Sequence, residues 1–306
     1  MSDPRPIGVF DSGVGGLTVL REILRRSPGE STIYLGDNAR APYGPRPDDE
    51  VLAFSRQAVE RLAERDVKAI VIACNTSTAI ALADLRRRHD LPILGVIRPG
   101  AVTASLSTRN RRVGVIATPA TVRSHAYFQA IKEENPAIEV YEWATPALVP
   151  LVEAGRLHGP EVEATVRASL AGLLGERAAD GALREPQPAS ATIDTLLLGC
   201  THYPLIEAAI RAVSGDRIAL VDSATATAGA LQDLLAINGL EAPGSSRGTA
   251  ADPGAAGHER PLPAGGPATH RQLTTGSVES FRELAQRLFG DGFVDVEPIE
   301  LGVPVG

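Results

Sequence analysis

Val67-Lys68-Ala69-Ile70-Val71-Ile72-Ala73-Cys74-Asn75-Thr76 is an apolar run that stops at a thiol, an amide and a hydroxyl. Ile193-Asp194-Thr195-Leu196-Leu197-Leu198-Gly199-Cys200-Thr201-His202 repeats the arrangement. Short, nearly continuous apolar runs of this kind suit strands buried on both faces of a parallel sheet. Each cysteine then falls at the carboxyl end of its strand, just ahead of a helix start. That edge is where open α/β sheets bind ligands, and a helix N-terminus favours thiolate over thiol. The chain has only these two cysteines, so the paired setting predicts one base and one acid acting across a shared substrate. Plainer readings compete. A free cysteine is commonly a small buried hydrophobe. The two could form a disulfide, although nothing in the chain indicates an oxidising compartment. Zinc is disfavoured, because there is no C-x-x-C and only His202 lies near either thiol.

Outward from these two strands the same alternation continues. Strands are expected at 7–10, 32–36, 92–97, 112–117, 139–144 and 218–222, and helices at 17–26, 48–63, 78–88 and 124–133. The helix at 48–63 carries Val51, Phe54, Ala58 and Leu62 on one face. Repeated β-α units predict a doubly wound α/β fold with mainly parallel sheets, and 306 residues allow two domains sharing an interface. Arg98-Pro99-Gly100 is expected to break the chain and cross to the second domain, and 218–222 to return to the first. Residues 177–192 and 242–270 are too polar and too rich in Pro and Gly to build a core, and read as flexible surface insertions.

Composition excludes several classes. A net charge of −7 argues against a nucleic-acid surface. No apolar run approaches the length of a membrane span, and Met1-Ser2-Asp3-Pro4-Arg5-Pro6 lacks the apolar stretch of a signal peptide. The expectation is a soluble cytoplasmic protein with reduced thiols. Pyridoxal phosphate needs a Schiff-base lysine. The only lysines are Lys68, at the wrong end of its strand, and Lys132, in a polar helical stretch. No cofactor and no metal are expected.

The first strand runs into Asp11-Ser12-Gly13-Val14-Gly15-Gly16. Glycines between a strand and a helix let backbone N–H groups face an anion. The spacing is not that of a dinucleotide fingerprint or a P-loop, although Asp37 could mimic a ribose-binding acid; a substrate carboxylate fits the same cradle. The loop Gly36-Asp37-Asn38-Ala39-Arg40-Ala41-Pro42-Tyr43-Gly44 follows a strand on the same edge, so it reads as a wall of the site. Thr118, Thr121 and Ser124 can cap a helix, bind a carboxylate, or both. His202 can exchange a proton with the neighbouring thiol. Glu153, in an apolar stretch, is either a solvated helix residue or part of the site.

Four motifs in order, Asp11-Ser-Gly-Val-Gly-Gly-Leu17, Gly36-Asp-Asn-Ala with Pro42-Tyr-Gly44, Ala73-Cys-Asn-Thr76 and Leu198-Gly-Cys-Thr-His-Tyr-Pro-Leu205, resemble those of the glutamate racemases, within the aspartate/glutamate racemase family. Thr274-Thr-Gly-Ser277 with Phe281 resembles the family's last strand and helix. The resemblance implies two facing α/β domains, 1–97 with 207–306 and 98–206, and an active site at their interface. It implies a cofactor-independent enzyme that supplies D-glutamate for the bacterial cell wall, and a homodimer. Cys74 with Asp11, and Cys200 with His202 and Glu153, are then the catalytic groups. Cys74 acts on D-glutamate and Cys200 on L-glutamate. Ser12, Asp37, Pro42, Tyr43, Gly44, Asn75, Thr76, Thr118, Thr121 and Thr201 fall on substrate-binding positions.

The chemistry agrees with that implication. Racemisation passes through a planar carbanion, so one group removes hydrogen from one face while another protonates the opposite face. Dipoles and the exclusion of water must stabilise the carbanion. An aspartate racemase would use the same thiols. A two-domain amino-acid-binding protein would need neither.

Overall fold

Strand β1 (Ile7–Asp11) has a parallel neighbour on each side, β2 (Thr32–Gly36) and β3 (Ala69–Ile72). All three are buried end to end, as their unbroken apolar character requires. In this computed structural model, residues 2–174, 193–243, 268–293 and 295–302 are described. The expected insertion at 177–192 lies outside them, as does most of the one at 242–270.

Between these strands lie α1 (Leu17–Arg26) and α2 (Asp48–Ala63), and beyond them α3 (Asn75–Arg88), β4 (Ile93–Gly95) and α4 (Ile97–Ser107). The second half contains β5 (Arg112–Ala117), α5 (Pro119–Ser124), α6 (Ala126–Glu134), β6 (Glu139–Ala144), α7 (Leu148–Glu153), α8 (Pro160–Leu174) and β7 (Thr195–Gly199). It continues through α9 (Glu207–Ser214), β8 (Ala219–Asp222) and α10 (Ser223–Ile237). The chain ends in β9 (His270–Thr274), α11 (Val278–Phe289) and β10 (Val296–Pro298).

Two sheets result, in the orders β10-β9-β2-β1-β3-β4 and β6-β5-β7-β8, with every ladder parallel. In the first, the chain leaves β1 toward β2 and then crosses to β3 on the other side. In the second, it leaves β5 toward β6 and then crosses to β7. Each sheet therefore has a switch point, between β1 and β3 and between β5 and β7, where a crevice opens at the carboxyl ends. Cys74 follows β3 and Cys200 follows β7. One apolar cluster joins the halves, running from Val14, Leu17 and Leu20 to Leu148, Leu198, Tyr203 and Ile210.

Four expectations are corrected. Residues 218–222 do not return to the first sheet; β8 pairs with β7 and completes the second. The return comes with β9, which begins at His270 inside the segment expected to be an insertion and pairs with β2. Arg98-Pro99-Gly100 does not break the chain but lies in the first turn of α4, where proline's missing N–H removes a donor that has no intrahelical partner anyway. Helix α3 starts at Asn75 rather than Thr78, because Cys74 caps it: its Sγ accepts the Ser77 N–H at 3.4 Å.

At the opposite edge of the first sheet, Lys68 is buried 2.5 Å from Glu30. Its Nζ also donates to the Asp3 carbonyl at 2.8 Å, and Glu30 accepts the Ala242 N–H at 2.8 Å. Removing one member of a buried pair strands the other charge, at a cost of about 3–5 kcal/mol. Lys68→Met is expected to destabilise the fold by about 3 kcal/mol in urea denaturation. Lys68→Met with Glu30→Leu should recover much of that loss; no difference between wild type and Lys68→Met would show the pair to be neutral.

Candidate active site

The two crevices face one another and form one cavity, which encloses about 680 Å³ counting its open mouth. Cys74 and Cys200 both line it. Ser12, Pro42, Tyr43, Gly44, Asn75, Thr76, Thr118, Thr201, His202 and Glu153 line it too, so most of the expected site residues converge. Asp11, Asp37 and Thr121 do not reach its surface; all three are fully buried behind it. Pro45, Pro119, Thr145, Pro146, Val149 and Pro150 complete the wall and were not singled out from sequence. Thr145 follows β6, and the strand-end rule that selected the cysteines applies to it. The prolines and Val149 carried no such signal.

Each thiol has its own setting. Around Cys74, the sulfur lies 3.6 Å from Ser12 Oγ and takes the Ser77 N–H. Burial, and next the Asp11 carboxylate, outweigh those contacts and push the Cys74 thiol up to about 11. The helix start was expected to favour thiolate; with the sulfur desolvated, the opposite holds at this position. Asp11 accepts the Gly13 N–H at 3.0 Å, and burial raises it above the usual carboxylate range. Around Cys200, the sulfur faces His202 Nδ1 at 3.7 Å. His202 Nε2 lies 3.4 Å from Glu153 Oε1, an ion-pair separation rather than an aligned hydrogen bond. Burial alone would depress the imidazole, but Cys200 and Glu153 outweigh it and push His202 up to about 10. The histidine therefore carries its proton through the neutral range.

The halves are bolted together at the cavity by hydroxyls. Thr76 Oγ1 lies 2.9 Å from Thr118 Oγ1 and 3.2 Å from Thr121 Oγ1. Thr118 also caps α5 by accepting the Thr121 N–H, so capping and site-building coincide. Thr18 Oγ1 donates to the Thr201 carbonyl at 3.1 Å. Asp37 braces the wall from behind: it accepts from Tyr43 Oη, from Arg40 Nε at 2.7 Å and from Thr275 Oγ1 at 2.7 Å.

Gly15 shows how tightly the halves meet. A Cβ there would sit 2.5 Å from Thr201 Oγ1 and 2.6 Å from His202 Nδ1. At those separations something must shift. Gly15→Ala is expected to displace His202 from Cys200 and to lower kcat by about tenfold or more, on the scale of a misplaced catalytic group. Wild-type turnover in that variant would show the contact to be slack.

Lys68 and Lys132 lie outside the cavity lining. Among the described residues, no group of three or more His, Cys, Asp or Glu side chains is placed to hold a metal ion, and no helix is long and apolar enough to cross a membrane.

The Asp/Glu/Hydantoin racemase family profile matches residues 7–231. A glutamate racemase of Lactococcus lactis subsp. lactis is 39% identical over 302 residues, covering 98% of this chain and 97% of that one. The crystal structure of a glutamate racemase isoform from Bacillus anthracis superimposes with a TM-score of 0.83 at 37% identity, covering 97% of this chain and 98% of that chain. The glutamate racemase of Francisella tularensis, solved in complex with D-glutamate, gives 0.79 at 32% identity and covers 98% of each. By this match along its length, the chain belongs to the Asp/Glu/Hydantoin racemase family.

Proposed function

We propose that this chain is a cofactor-independent glutamate racemase, interconverting L- and D-glutamate with Cys74 and Cys200 as the acid and base. The observation that carries the reading is that two cysteines from different sheets line one cavity, each with its own assisting groups. The near-full-length likeness to chains named glutamate racemase favours glutamate over aspartate.

In this reading Cys200 removes the α-proton of L-glutamate while Cys74 protonates the opposite face, and the roles reverse for D-glutamate. Cys74 rests as a thiol, ready to donate. The His202 imidazolium, held by Glu153, offsets negative charge at Cys200. Ser12, Asn75, Thr76, Thr118 and Thr201 supply hydroxyl, amide and backbone donors for the carboxylates. Asp11, Thr121 and Asp37 act from behind the cavity surface. Proline and Val149 on the wall contribute few donors and help to keep water from the carbanion. The cellular role is the supply of D-glutamate to peptidoglycan in the cytoplasm, and the assembly a homodimer, which sedimentation of the purified chain would test.

Polarimetry on L-glutamate, D-glutamate and L-aspartate tests the reading. Loss of rotation with both glutamate enantiomers and little with aspartate is expected. Faster racemisation of aspartate would make the chain an aspartate racemase. Binding without racemisation of either would make it an amino-acid-binding protein.

A further inference from the structure

Asn75 lines the cavity from the start of α3, in the first sheet's half. Its Oδ1 accepts a 2.6 Å hydrogen bond from the hydroxyl of Tyr127. Tyr127 stands on α6 in the other half and is fully buried. It does not line the cavity, and no motif in the sequence pointed to it. The Nδ2 of the same amide is buried and has no hydrogen-bond partner among the described residues. A buried donor without an acceptor is costly, and the cost is relieved when a ligand supplies one.

The two ends of an amide differ only in what they can do: the oxygen accepts and the nitrogen donates. A carboxylate only accepts. An amide that flipped freely would present its oxygen to an anionic ligand half of the time. A phenol that donates to Oδ1 holds the amide in the orientation seen here. The Tyr127 hydroxyl sits on the oxygen end of the amide and leaves the Nδ2 end, which has no partner among the described residues, for a ligand.

We propose that Tyr127 is a positioning residue for substrate: across the junction of the two halves it locks the Asn75 amide with Nδ2 toward a glutamate carboxylate. The inference rests on the glutamate racemase reading above, and it adds a specific dependence: Tyr127 acts on substrate only through Asn75. It also makes carboxylate binding depend on docking of the halves, since the bond crosses between α6 and α3.

A double-mutant cycle tests it, with KM and kcat for D-glutamate read by polarimetry and thermal melting followed alongside. Tyr127→Phe keeps the ring and removes the hydroxyl. It is expected to raise KM about fivefold, the effect of one hydrogen bond, with kcat within about twofold. Asn75→Ala should raise KM about tenfold or more. In the Asn75→Ala background, Tyr127→Phe should change KM by less than about 1.5-fold, because the amide it orients is gone. If Tyr127→Phe melts lower than wild type, the cycle is read at a temperature where the melting curves show all four proteins folded, so a folding defect is kept apart from a binding one. Equal losses from Tyr127→Phe in both backgrounds would mean a packing role and overturn the proposal, as would an unchanged KM in Tyr127→Phe. A wild type that does not racemise glutamate would refute the functional reading; an active wild type with an additive cycle would refute only the role given to Tyr127.

Discussion

Cys74→Ser and Cys200→Ser are each expected to lower racemisation by about 10³-fold or more in both directions, since a positioned acid or base contributes about 10²–10⁴-fold and a serine hydroxyl is a far weaker acid than a thiol. The loss must be symmetric. The enantiomers have equal free energy in water, so kcat/KM for one equals kcat/KM for the other in every variant. What distinguishes the two variants is proton exchange without inversion. Cys74→Ser retains Cys200, which can still take the α-proton of L-glutamate; in D₂O that enantiomer should slowly acquire deuterium while D-glutamate does not. Cys200→Ser should show the reverse. A variant that kept racemising near the wild-type rate would make its cysteine a structural residue. Because both thiols are buried, the folded state of each variant is confirmed by its melting transition.

His202→Asn is expected to lower kcat by about 10²-fold with a smaller change in KM. The ring faces the Cys200 sulfur, and its charge is held by Glu153. With His202 pushed up to about 10, the imidazolium is present below that pH and lost as pH rises through it. The alkaline limb of the wild-type kcat/KM profile should therefore include a step near 10 that the variant lacks. Glutamate's own amine also titrates at alkaline pH, so the difference between the two profiles is the quantity to read. Identical alkaline limbs would place the histidine outside the reaction. Glu153→Gln should give a milder loss and shift the step to lower pH, because one of the contacts that raise His202 is weakened.

The cysteines could be placed from sequence because burial on both faces writes an uninterrupted apolar run, and the chain has two such runs ending alike. The loop from Gly36 to Gly44 could be placed because it follows a strand on the same edge. Other features depend on what the halves bring together. Asp37 has the residue type and strand-end position of a ligand-binding acid, yet Tyr43, Arg40 and Thr275 enclose it. Thr275 is separated from it by most of the chain, so sequence spacing could not show the enclosure. The Cys74 thiol illustrates competing local and tertiary effects. Its position ahead of a helix start was legible and favours thiolate, but its desolvation and the nearby Asp11 carboxylate arise only on folding. Strand β8 follows α9 in a pattern that fits either sheet; only pairing with β7 decides it. Arg98-Pro99-Gly100 has the composition of a break, and it is helical because the proline falls in a first turn. Val149 and Pro150 on α7 look like core residues in sequence, and part of their surface becomes a cavity wall only on folding, when Glu153 on the same helix comes to lie 3.4 Å from His202.

The central claim is that two separate cysteines, each able to hold a single proton and acting one as thiolate and the other as thiol, serve the two faces of one substrate. Wild-type racemisation in D₂O, started from each enantiomer in turn and followed by mass spectrometry of the separated isomers, tests it most directly. The thiol that removes the α-proton can return only that proton until it exchanges with solvent, while the thiol on the other face delivers deuterium. Early in the reaction, product from either enantiomer should be deuterated at Cα and recovered substrate should remain largely unlabelled. Deuterium entering recovered substrate at the rate of product formation, or product formed with the original proton retained, would mean a single base reaching both faces, and would contradict the assignment of Cys74 and Cys200.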